Sequence, residues 1–217
     1  MSRLNRIAML GALVVLSPVA APQLLAFPHS ATIGQHRVYS EAPIDPTLAK
    51  IVTQADAMAA RSPLAASRKL NQPIFLTSGG WRFTWLSGGT RAFAVSRPLI
   101  ETIVVNRSDQ RHDLVENGST FAGTRNLHGT LAHEMTHGLI RETFGAFADY
   151  RYPAELREGY CDYVAGGGSL TDAQARVLVA SHREVPALTY WRGRKKVEAA
   201  LAANHGNVGA MFANWKS

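Results

Sequence analysis

The hydrophobic pattern divides the chain into a strand-like first half and a helical second half. Four short runs are rich in β-branched and aromatic residues: 73–77, 81–86, 91–95 and 101–106. Gly-Gly pairs or prolines separate them, so they read as a small antiparallel sheet, with Ser-Gly-Gly at 78–80 and 87–89 as hairpin turns. From residue 127 the spacing becomes helical. Leu131, Ala132, Met135, Leu139 and Ile140 make one broad apolar face, and Gly145 is placed to end that helix. A second helix is expected to start at Pro153 and stop at the glycines 166–168. Thr171 and Gln174 form a capping box that opens a third, and a last long helix is expected from Pro186 to Ala203. Before the sheet, Asp45-Pro46 caps a helix running to about Ala60. Residues 27–43 lack periodicity and read as loop, with His29 and His36 at the surface. Residues 109–124 are polar and turn-rich, as a flap over a cleft or a connection would be. The expected fold class is therefore α+β, with an N-terminal antiparallel sheet and a mostly helical C-terminal half.

Residues 1–27 have a different composition. Arg3 and Arg6 precede an apolar stretch from Ile7 to Leu16, and Ser17-Pro18-Val19-Ala20-Ala21 adds a breaker and small residues. This reads as a secretory signal peptide, or as an uncleaved N-terminal membrane anchor. Either reading puts residues 28–217 outside the cytoplasm, periplasmic or secreted. Those residues, about 190 of them, suit a single domain. The one cysteine excludes an internal disulfide framework. The net charge of +7 comes mainly from scattered arginines. One cluster, Arg192, Arg194, Lys195 and Lys196, reads as a solvated helix face. No nucleic-acid partner is expected, because neither a basic stripe with aromatics nor a nucleic-acid-binding module is present.

Candidate chemistry sits in His133-Glu134-Met135-Thr136-His137. On a helix, i and i+4 share a face, so both imidazoles can reach one metal ion. Glu134 is turned about 100° from His133, out of the first coordination shell but within reach of a metal-bound water. The apolar flanks predict burial, and buried imidazoles and carboxylates without partners are costly. Catalytic zinc takes three protein ligands and leaves one position open. Glu158 and Asp162, again at i and i+4, lie on the second helix. One can bind the metal, and the other can accept the free N–H of a ligating imidazole. Cys161 and Glu155 are rival ligands. His128 lies off the ligand stripe and reads as structural.

His-Glu-x-x-His followed about twenty residues later by Glu-x-x-x-Asp resembles the gluzincin, or thermolysin-like, zinc metallopeptidases. The run Glu-Gly-Tyr-Cys-Asp-Tyr at 158–163 is similar to the Glu-Gly-x-Ala-Asp-Tyr form of small members. One position departs: Glu155-Leu156 stands where the family often has an aromatic-Leu pair. The resemblance covers the two motif helices closely and the rest in outline, and implies a small zincin-like fold. It implies Zn2+ held by His133, His137 and Glu158, with Asp162 supporting a ligand histidine and Glu134 as catalytic base. It further implies a peptide or protein substrate paired with an edge strand. Residues 102–106 or their neighbour are candidates for that edge, against the ordinary reading of a core strand.

Such chemistry also needs a donor for the developing oxyanion. Tyr190, His182, Tyr160 and Arg125 are candidates, and Tyr190 is preferred. The expected function is zinc-dependent peptide-bond hydrolysis. The alternatives are a non-enzymatic, metal-stabilised binding or scaffold protein and an amidase of cell-wall peptides. Membrane association through residues 1–27 follows from the anchor reading, and the sequence leaves the oligomeric state unknown.

Overall fold

The computed structural model describes residues 21–66 and 70–215, together with Asn5, Met9, Gly11, Ser17 and Pro18. Most of the N-terminal signal or anchor segment therefore lies outside the described residues. Among those described, no helix is long and apolar enough to cross a membrane.

The chain is α+β, as its patterning implies. A hairpin, β1 (His29–Ile33) and β2 (His36–Ser40), leads into α1 (Thr47–Ala59). Then come β3 (Ile74–Thr77), α2 (Trp81–Ser87), β4 (Ala94–Arg97) and β5 (Thr102–Asp109). Short strands β6 (Leu114–Glu116) and β7 (Thr124–Asn126) precede α3 (Leu127–Phe144). The C-terminal half is helical: α4 (Ala148–Arg151), α5 (Ala154–Val164), α6 (Asp172–Ala180), α7 (Pro186–Ala203) and α8 (Val208–Ala213). The sheet order is β1-β2-β3-β5-β6-β7, and β4 pairs with β5 beside β6.

This sheet corrects the antiparallel expectation, for it is mixed. β2 runs parallel to β3 and β3 parallel to β5, while the remaining pairs are antiparallel. α1 and α2 are the crossovers that parallel neighbours require. Residues 81–86, expected as a strand, are helical. Phe83 and Leu86 are buried while Trp81 and Trp85 are exposed, a helical alternation that the aromatic content disguised. Gly80 caps this helix and Gly88, left-handed at φ 68°, closes it, so the two Ser-Gly-Gly runs flank a helix rather than turn hairpins.

Residues 29–40 form a hairpin, not a loop, and β6 lies within the stretch 109–124 read as turn-rich, with β7 beginning at its end. His36 is fully buried, which overturns its surface assignment. Its Nδ1 donates to the Gln72 carbonyl at 2.8 Å and its Nε2 to Asp56 of α1 at 2.8 Å. Two acceptors make the ring a double donor, hence an imidazolium.

The sheet separates two apolar clusters. On one face Val38, Ile74, Leu76, Ile103 and Val105 pack with Leu48 and Ile51 of α1 and with Leu131 and Met135 of α3. On the other, Phe75 and Val104 pack with Phe83 and Leu86 of α2. A third cluster joins Ile140 of α3, Leu156 and Tyr160 of α5, Val197 of α7 and Phe212 of α8. Each such buried side chain contributes about 1.5–3 kcal/mol relative to exposure.

Burial alone would lower the His36 pKa. The Asp56 hydrogen bond, the Gln72 carbonyl and the Asp56 charge outweigh it, and the pKa is raised above 6.5. That stabilisation is complete below the unfolded pKa and is lost as pH rises through the folded one. His36→Ala is expected to lower unfolding free energy by about 1–3 kcal/mol at pH 6, because it orphans the Gln72 carbonyl. In denaturant titrations the gap between wild type and variant should narrow as pH rises through the folded pKa. A gap independent of pH contradicts the imidazolium assignment.

Candidate metal centre

Three local features fix α3. Asn126 caps it, its side chain accepting from the Gly129 amide at 2.9 Å. The Asp113 carboxylate takes the His128 amide at 2.9 Å and also bonds the His128 ring, so His128 is tied to the β6 end and away from His133 and His137. Gly145, at φ 100°, lets the chain leave the helix. Nearly every residue of α3 from Leu127 to Arg141 is buried. The polar residues of the pentad thus sit in the middle of a buried helix, where each needs a partner.

α5 supplies those partners. The Glu158 Oε2 atom lies 3.2 Å from His133 Nε2 and 3.5 Å from His137 Nε2. Tetrahedral coordination with bonds of about 2.05 Å has donor–donor edges of about 3.3 Å, so these separations fit a small divalent ion at the shared centre. His133 Nδ1 donates to Asp162 Oδ1 at 2.8 Å, which leaves Nε2 directed at Glu158. Arg125 donates to the same Asp162 oxygen at 2.9 Å and to the Gly167 carbonyl at 3.1 Å. Arg157 approaches the other Glu158 oxygen at 3.7 Å and donates to Asp149 at 3.2 Å. Asp149 also accepts from the buried Arg141, which Glu101 holds from its other side.

The charges of these groups offset one another. Burial would raise the Glu158 pKa, but the charges and hydrogen bonds of His137 and His133 hold it well below the ordinary carboxylate range. Burial would lower that of His133, but hydrogen bonds with Asp162 and Glu158 take it up to about 10. Burial would also raise Asp162, and Arg125 and His133 keep it lowered.

His133, His137 and Cys161 form a buried group that can hold a metal ion, their ligand atoms all within 4.8 Å of one another. Glu158 approaches both imidazoles more closely than that limit and lines the cleft, whereas Cys161 is wholly enclosed. Burial first, and then the charges of Glu158, Glu134 and Asp162, push the Cys161 thiol pKa well up. Glu158, with an oxygen 3.2 and 3.5 Å from the two imidazole nitrogens and a face on the cleft, is also placed to share an ion with them. Glu155 is elsewhere, paired with Lys196 at 2.8 Å.

A cleft of about 960 Å³ opens over these residues. Glu134 lines it at 6% exposure and has no hydrogen-bond or ion-pair partner among the described residues. Phe121 and Ala122, from the segment between β6 and β7, form part of the wall, which fits the flap reading. Residues of β4 form another part, and β4 has β5 on one side only, so it is an edge. β5, between β3 and β4, is interior, which removes residues 102–106 as the edge and leaves the neighbour.

Of the four oxyanion candidates, only Tyr190 presents an uncommitted group to the cleft. Its hydroxyl has no hydrogen-bond partner among the described residues, and burial together with the Glu158 and Asp162 charges raises its pKa. Tyr160 is fully buried and bonded to Ser62 at 2.6 Å, His182 is exposed outside the cleft, and Arg125 is committed to Asp162. The helix bearing Tyr190 comes close because α5 and α7 cross at two glycines. A Cβ on Gly159 would stand 2.4 Å from the Gly193 carbonyl carbon. Sequence reasoning missed the buttressing role of Arg125 and the Arg141–Asp149–Arg157 chain. Arg125 stands next to the Asn126 cap, but its partner is 37 residues away, a distance no local pattern reports.

No protein-family model, no curated protein and no solved structure matches the chain.

Because Asp162 orients His133, Asp162→Asn is expected to weaken metal binding about 10–100-fold. Cys161→Ser should leave it unchanged. Competition titration against a chromophoric chelator measures both, and the reverse ranking would make Cys161 the ligand.

Proposed function

We propose that this chain is a zinc-dependent hydrolase of peptide bonds that works outside the cytoplasm, with a gluzincin-like site. The observation that carries the reading is Glu134: a buried, unpartnered carboxylate facing the cleft beside three converging donors. A carboxylate standing free in the cleft wall suits a proton-transfer role, and a purely structural centre has no use for it. Two imidazoles and a carboxylate also suit zinc by donor chemistry.

His133, His137 and Glu158 would hold the ion. Zinc in that position would supply Lewis-acid polarisation of a carbonyl and lower the pKa of water. Asp162 and Arg125 keep His133 in the tautomer that leaves Nε2 free to bind. Glu134 accepts a proton from the attacking water and returns it to the leaving amine. Tyr190, kept protonated by its raised pKa, donates to the oxyanion that forms as water adds to the carbonyl. The open edge of β4 offers backbone groups to an extended peptide.

One observation favours a second reading. Cys161 lies close enough to the two histidines to close a four-donor, non-catalytic centre, as a metal-stabilised scaffold would require. A cell-wall amidase would use the same centre on a different amide.

Glu134→Gln separates these readings. The variant should retain its metal and its thermal midpoint and lose about 10²–10⁴-fold in turnover of a peptide library, with peptidoglycan fragments assayed alongside. Turnover of the fragments alone would identify the amidase. Metal-loaded wild type with no turnover of either substrate would support the scaffold.

A further inference from the structure

We infer that the α2 face of the domain docks on a lipid bilayer surface, with Trp81 and Trp85 as its interfacial anchors. This inference is independent of the hydrolase reading.

α2 lies across the sheet from α1 and α3. Its inner residues Phe83 and Leu86 fill the cluster under the sheet. Its outer residues Trp81 and Trp85, at i and i+4, are 62% and 42% exposed. Two exposed indoles on one helical stripe are expensive in water, and indole is the side chain best suited to a membrane interface. Leu24, 60% exposed, adds aliphatic surface at the start of the same layer.

That layer is also where the chain enters the domain. Leu25 and Phe27 pack on the cluster beneath α2, and Phe27 meets Phe75 edge-on at 5.2 Å. Arg82 of α2 donates to the Leu25 carbonyl at 3.0 Å. The segment arriving at this point is the apolar run from Ile7 to Leu16 with its two flanking arginines. Arg82 thus ties the chain's entry point to the helix that bears the tryptophans, and on the anchor reading of residues 1–27 this brings the indoles to the bilayer surface. Arg37 sits on the same sheet face, its guanidinium over Tyr39, and supplies positive charge for anionic headgroups, whereas Arg82 is paired with Glu41 at 3.2 Å. Phe147 and Tyr150 are also exposed, but no apolar segment adjoins them in sequence.

The orientation that follows suits a working site. His133, His137 and Glu158 lie on the α3 side of the sheet, opposite α2. A domain resting on α2 turns the cleft toward the aqueous side.

The test adds the full chain to vesicles of phosphatidylcholine and phosphatidylglycerol carrying brominated acyl chains, and follows tryptophan emission. Wild type should show a blue shift and a loss of emission on the brominated vesicles relative to unbrominated ones. Trp81→Phe/Trp85→Phe, at exposed positions, should fold normally by circular dichroism and lack the quenchable component. Vesicle-bound wild type with unquenched tryptophans overturns the inference, because the segment would then anchor without the face docking. So does quenching that survives in the double variant. So does emission already blue-shifted without vesicles and unaffected by them, which would mean that residues 1–20 cover the face.

Discussion

The hydrogen bond from His133 to Asp162 is the contact on which the centre depends. It joins the middle of α3 to the last turn of α5 and selects the imidazole tautomer. It sets the direction of Nε2, and with it the point where Glu158 and His137 meet. Arg125 and the His133 ring together hold the Asp162 carboxylate charged against its burial. The sheet, the caps and the apolar clusters place these two helices, and the charge pattern between them completes the arrangement.

Packing and chemistry share residues along this seam. Gly159 follows Glu158 directly, and its missing side chain lets α7 approach α5 and carry Tyr190 to the cleft. Leu156 and Tyr160 anchor the opposite face of α5 in the third cluster. A larger residue at 159 would therefore act on the cleft wall as well as on stability. The Arg141–Asp149–Arg157 chain stiffens the other side of Glu158, tying α3 and α4 to α5. Basic residues on α7 are similarly occupied: Arg192 pairs with Glu184, Arg194 and Lys195 with Asp172, and Lys196 with Glu155.

Signals that act within one turn of a helix were legible in the sequence. The Thr171 capping box, Pro186 at a helix start and Gly145 at a helix end all stand where local physics puts them. The pentad and the Glu158/Asp162 pair were legible for the same reason, since i and i+4 fix a shared face. Interactions between distant segments were not. The parallel pairing of β2 with β3 depends on a crossover through α1, and short apolar runs carry no direction. His36 needs Asp56 and Gln72, and its neighbours in sequence give no sign of either. Residues 81–86 misled because tryptophan and phenylalanine favour strands on average, while the packing of Phe83 and Leu86 decides in favour of a helix. In the centre itself, Cys161 stands so close to the ligand stripe that spacing alone could not rank it against Glu158.

X-ray absorption at the zinc edge of the purified, zinc-loaded protein tests the centre most directly. The expected first shell holds nitrogen and oxygen donors only, at about 2.0–2.1 Å, with two imidazole signatures. The spectrum should be unaltered in Cys161→Ser and degraded in Glu158→Ala. A sulfur scatterer at about 2.3 Å, lost in Cys161→Ser, would contradict it.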